Sequence, residues 1–87
     1  MQLLTRNTTT DPEGWAEIFE ADREAQGAAG LTLLQLWQAE GDPNTRWMLF
    51  EVSDRDRAQA WLDAPQAAMH ATRASVIDSE FHFLDIA

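Results

Sequence analysis

Three stretches of this chain carry large apolar residues on both sides of an extended backbone, and that restricts the available folds more than any other feature. Successive side chains of a strand point to opposite faces. In 31–39, Leu34 and Leu36 fall on one side, and Leu33, Gln35 and Trp37 on the other. In 46–52, Met48, Phe50 and Val52 oppose Trp47, Leu49 and Glu51. In 80–86, Phe81 and Phe83 oppose His82, Leu84 and Ile86. A sheet built from such strands needs cover on both faces.

The remaining segments read as helices. Asp11-Pro12-Glu13 is a helix start: an oxygen to cap an unpaired N–H, a proline suited to the first turn, and an acid that complements the dipole. Trp15, Ile18, Phe19 and Ala25 then mark one buried stripe, with Asp22, Arg23 and Glu24 mostly outside it, and Gly27 and Gly30 bracket the end. Ser53-Asp54-Arg55-Asp56 opens a second helix, with Ser53 as the expected cap and Ala58, Trp61 and Leu62 as its inner stripe. Pro65 breaks or restarts it, and the helix continues through His70 to about Ala74. A first strand over 1–6, a turn at Gly41-Asp42-Pro43-Asn44 and a last strand over 80–86 complete the order β-α-β-β-α-β.

This order predicts one α+β domain spanning 1–87, ferredoxin-like, with both helices on one face of a four-stranded antiparallel sheet. Strands about 4.8 Å apart and roughly 20 Å long leave a bare face near 400 Å². That is at the edge of what a soluble monomer exposes as one patch. A second copy is the simplest cover, so a homodimer closing a barrel between two chains is expected.

Composition removes several partners. The formal net charge is −9, all six basic residues are arginine, and the densest pair, Arg55 and Arg57, alternates with Asp54 and Asp56. Nucleic acids and anionic membranes, which need clustered Lys and Arg, are therefore not expected partners. With no cysteine there is no disulfide framework and no thiolate. Nothing resembles a secretory signal or a membrane span, so the chain is expected in the cytoplasm. Two histidines twelve positions apart form no recognisable metal set. There is no phosphate-binding glycine loop and no nucleophile elbow, and no cofactor is expected.

Several residues, in order and at matching spacing, resemble the dimeric α/β-barrel superfamily that includes the antibiotic-biosynthesis monooxygenase-like proteins. They are the strand ending near Arg6-Asn7, the Trp15-centred helix, Gly41-Asp42-Pro43-Asn44, Phe50-Glu51-Val52 before Asp56, Ala60-Trp61-Leu62 with Ala64-Pro65, and Phe83-Leu84. The resemblance covers nearly the whole chain and is more specific for fold than for reaction. It implies oxygenase, cyclase or haem-degrading activity, or none. Cofactor-free oxygenation in such proteins implies a dry pocket with few obligatory residues. Short relatives often have histidine where this chain has Asn7. Asn7, Trp61 and His70 resemble a trio of haem-degrading members, although the Trp61–His70 interval is one residue short, about 100° of helical rotation.

The candidate site residues follow from both lines. His70, flanked by Ala67, Ala71 and Ala74 at inward spacing, suits a general acid or base beside a cavity; its bland alternative is a histidine satisfied by a carbonyl or a water. Glu51 is the second catalytic candidate, with Asn7, Gln35, Trp37, Trp47, Trp61 and His82 as pocket residues. Gln35, Trp37, Trp47, Glu51 and His82 share the strand face expected to line the barrel, where a carboxylate or imidazole would have a shifted pKa. The alternative for Glu51 and His82 is that they lie near strand ends and reach water. Three functions are open: a barrel binding a small apolar or aromatic molecule with monooxygenase- or cyclase-like activity; a non-catalytic barrel with a filled interior; and a haem-degrading enzyme.

Overall fold

The computed structural model describes all of residues 1–87. Its elements are β1 (Gln2–Thr9), α1 (Pro12–Ala21), α2 (Arg23–Ala28), β2 (Leu31–Ala39), β3 (Asp42–Val52), α3 (Arg55–Asp63), α4 (Pro65–Arg73) and β4 (Val76–Leu84). The four strands form one antiparallel sheet in the order β2-β3-β1-β4. This is the ferredoxin-like α+β arrangement read from the sequence. No helix is long and apolar enough to cross a membrane.

Each predicted helix is divided in two, for different reasons. Pro65 disfavours helical geometry at the residue before it, so Ala64 is extended (φ −68°, ψ 144°) and α4 begins with the proline in its first turn. The other division falls at Asp22, whose backbone remains helical (φ −89°, ψ −2°) while its N–H is shared between the Ile18 and Phe19 carbonyls. Asp11 caps α1 as expected, accepting from the Gly14 N–H at 3.1 Å. The cap of α3 is Asp54 rather than Ser53: its carboxylate accepts from the Asp56 and Arg57 N–H groups at 3.0 and 3.1 Å. Ser53 instead faces the Gly30 carbonyl. Gly30 has φ +78°, a backbone conformation that favours glycine in the turn into β2, and it leaves room for the Ser53 hydroxyl beside it.

The core joins the sheet to the helices. Leu3, Leu31, Met48, Phe50 and Val52 face Trp15, Ala29, Ala58 and Ala74. Met48, Phe50 and Val52 thus take the helix side, as the alternation requires. β2 does not follow the simple alternation, because its register with β3 shifts between Leu33 and Gln35. Leu33 therefore pairs with Phe50 on the helix side and packs against the core, opposite to the face read from the sequence, while Leu34 lies exposed at the shift. Beyond it, Gln35 and Trp37 pair with Leu49 and Trp47 on the open face. β1 extends three residues further than predicted, since Asn7, Thr8 and Thr9 continue the pairing with β4. β4 correspondingly begins at Val76, and Asp85 and Ile86 fall beyond its end. β3 begins at Asp42, whose carboxylate accepts from the Asn44 N–H and the Thr45 hydroxyl, while Asn44 Nδ2 donates to the Thr9 carbonyl at 2.7 Å.

Candidate functional site

A cavity of about 270 Å³ lies between the helix side of the sheet and the helices themselves. Its existence follows from side-chain size. α4 turns Ala67, Ala68 and Ala71 toward the cavity, with Ala74 just past the helix end, and buries none of its own residues, so it spans a gap that leucines would fill. Around that gap stand the aromatic rings of Trp15, Phe19, Phe50, Trp61 and Phe81. Trp15 and Phe19 are stacked, with centroids 4.8 Å apart and planes within 10°.

The polar groups of the cavity are few. Asn7, on the helix side of β1, takes the amide orientation in which its oxygen accepts from Trp15 Nε1 at 3.1 Å and its nitrogen donates to Ser79 Oγ at 3.2 Å. Thr5 lies one alternation earlier, between Met48 and Phe81; it is 3% exposed, and its hydroxyl has no hydrogen-bond partner. Gln26 of α2 is also buried against the cavity. Asp22 continues the helical spacing of Trp15, Ile18 and Phe19, which brings its carboxylate inward, where it is 7% exposed and lies 2.6 Å from Nδ1 of His70 on α4. At that distance the carboxylate oxygen and the ring nitrogen are in close contact, without the geometry of a well-directed hydrogen bond. Burial pushes the Asp22 carboxyl above its ordinary range, and His70 opposite partly pulls it back. Asp22 and His70 are the only ionisable side chains that line the cavity.

The sequence-derived candidates divide across the sheet. Asn7, Trp61 and His70 all line this one cavity. Gln35, Trp37, Trp47, Glu51 and His82 lie on the opposite, open face, as the cross-strand pairs Trp37–Trp47, Gln35–Leu49 and Leu4–His82 require. There Glu51 is half exposed beside the N-terminal amine at 3.6 Å, and His82 is half exposed beside Glu80 at 3.3 Å. Arg6, between them on β1, bridges Asp78 at 2.8 Å and Glu80 at 2.9 Å. Arg6 holds the Asp78 carboxyl below its ordinary range; His82 and then Arg6 do so for Glu80. No group of three or more His, Asp or Glu side chains is placed to hold a metal ion. Sequence reasoning missed Asp22, Thr5 and Gln26. Asp22 stands at helical spacing from Trp15, Ile18 and Phe19 but was hidden by its charge, whereas Thr5 was traceable through its alternation with Leu3 and Asn7.

Fold and site together describe a ferredoxin-like α+β domain with an apolar cavity under its helices, in which a buried acid meets a partly buried imidazole. Comparison with known protein families and with curated proteins finds no sequence match. Solved structures do match, and their fold is that of the antibiotic-biosynthesis monooxygenase-like proteins. SnoaB, a cofactor-independent oxygenase from Streptomyces nogalater, is 21% identical with a TM-score of 0.69, covering 99% of this chain and 92% of its own. A candidate antibiotic biosynthesis monooxygenase from Caulobacter crescentus is 11% identical with a TM-score of 0.71, covering 99% and 89%. An uncharacterised NIPSNAP domain protein from Burkholderia xenovorans is 18% identical with a TM-score of 0.65, covering 100% and 95%. The architecture is shared at identities where fold alone carries over.

Proposed function

We propose that this chain binds a small, largely apolar aromatic molecule between its sheet and helices and oxidises it by monooxygenase-like chemistry. The observation that carries this reading is the cavity of about 270 Å³, lined by five aromatic side chains and by the alanine face of α4. An engineered apolar cavity of roughly 150 Å³ takes up benzene, so this volume suits a molecule of one or two rings. It does not suit a porphyrin, despite the convergence of Asn7, Trp61 and His70 on the cavity. A fold shared with a cofactor-independent oxygenase supports an oxidation that the substrate's own reactivity drives inside a dry enclosure.

The working unit in this reading is a homodimer closed across the open sheet face. Leu4, Trp37, Trp47, Leu49 and Leu84 form the apolar part of that face, and Trp37 is 43% exposed in the single chain. Thermal shift against quinols, aromatic polyketides and haem, followed by oxygen uptake with any stabilising compound, tests the proposal. A one- or two-ring quinol at a hundredfold excess over its Kd should stabilise the fold by about 2.7 kcal/mol. A panel in which no aromatic compound raises Tm, or one in which haem alone does, would contradict it.

A further inference from the structure

We propose that Asp22 and His70 form a proton-accepting pair that takes the ligand's acidic hydroxyl proton, so that the molecule is held in the cavity as a phenolate or enolate. The inference deepens the binding reading above and rests on it. Asp22 occupies the Nδ1 side of the imidazole at 2.6 Å, and Nε2 makes no hydrogen bond within the chain. That nitrogen is the available base. In the transfer, the ligand O–H bond breaks, an N–H bond forms at His70 Nε2, and the electron pair stays on the ligand oxygen. Asp22 does not touch the ligand: it is a positioning residue that orients the ring and faces the positive charge His70 acquires.

A second, independent observation points to the same kind of ligand. The Thr5 hydroxyl is buried to 3% exposure on the cavity wall without a partner, so a polar ligand atom is what would complete it. The cavity's surroundings supply no competing ionisable group. Arg23 and Arg46 approach the walls from outside, over the Phe19 and Trp15 rings at 6.0 and 5.8 Å, and Arg23 pairs with Glu20 at 3.5 Å. On α3 and α4, Asp63 and Arg73 point to solvent, and on β4, Asp78, Glu80 and His82 belong to the opposite face. A proton leaving a bound hydroxyl in this cavity meets only the Asp22–His70 pair among its ionisable lining residues.

The test uses para-nitrophenol, yellow only when ionised, against para-nitroanisole, which has the same ring and no acidic proton. Both are titrated into the full chain about one unit below the phenol's own ionisation pH. The expected result is that wild type binds para-nitrophenol with the phenolate band and prefers it to the anisole about tenfold, the worth of one hydrogen bond to a charged group. His70→Gln and Asp22→Asn should bind it without the band and lose that preference. A colourless complex with wild type, or a phenolate band that survives His70→Gln, overturns the pair's role while leaving the cavity as a binding site. If neither probe binds wild type, the cavity reading fails and the proton-accepting pair fails with it.

Discussion

A hydroxyl shut away from water with nothing to bond costs a chain stability, and Thr5 carries one on the cavity wall. Replacing it with valine keeps the shape and removes the orphan. Thr5→Val should therefore gain about 1 kcal/mol in the unliganded chain, read by urea unfolding, while weakening the binding of a hydroxylated aromatic. A loss of stability would mean that the hydroxyl is satisfied in the native state. Asp22 makes a pH-dependent contribution of definite sign. Its folded carboxyl holds the proton more tightly than an unfolded one, so its stabilising effect is complete below 3.8 and is lost as pH rises through the raised folded value. Asp78 and Glu80, held low by Arg6 and His82, act oppositely and lose their contribution as pH falls. The Tm of Asp22→Asn relative to wild type should thus improve as pH is raised from about 4 to about 6. A flat or falling difference would show that the carboxylate is not held in a desolvated site.

At the scale of elements, periodicity carried the order of strands and helices, and local hydrogen bonding decided what periodicity could not. Ser53 and Asp54 are both competent caps in sequence; only the register of α3 shows that the Asp54 carboxylate receives the two free N–H groups. Asp54→Ala should cost about 1 kcal/mol in denaturant unfolding, and Ser53→Ala clearly less. Equal costs would indicate that the two share the cap. The same limit explains Leu33. One shifted residue between Leu33 and Gln35 reverses the face of everything before it, and such a shift leaves no mark in an alternating pattern. Asp22 escaped notice for a different reason: it stands three and four residues after Phe19 and Ile18, on the apolar stripe itself, and its charge rather than its position hid it. His70 was legible because its alanine neighbours already left room beside it.

For the whole molecule, the sheet has two apolar sides with different tasks. The helix side encloses the cavity, and the open side presents Trp37 and Trp47 as a cross-strand pair with no cover in the single chain. A homodimer at micromolar concentration, seen by sedimentation and converted to monomer by Trp37→Asp, is the expected state. A folded monomer under the same conditions would remove the barrel. Gln35, Trp37, Trp47, Glu51 and His82 read as pocket residues because sequence alone does not distinguish a face that meets a partner from a face that meets a ligand; both are mixed, aromatic and flat. The separation of tasks is decided most directly by calorimetric titration of one aromatic ligand, such as para-nitroanisole, into two variants. Ala71→Phe fills the space beneath α4, and Trp37→Ala trims the open face. Binding should disappear in Ala71→Phe and persist in Trp37→Ala; persistence in the first with loss in the second would place the ligand on the open face instead.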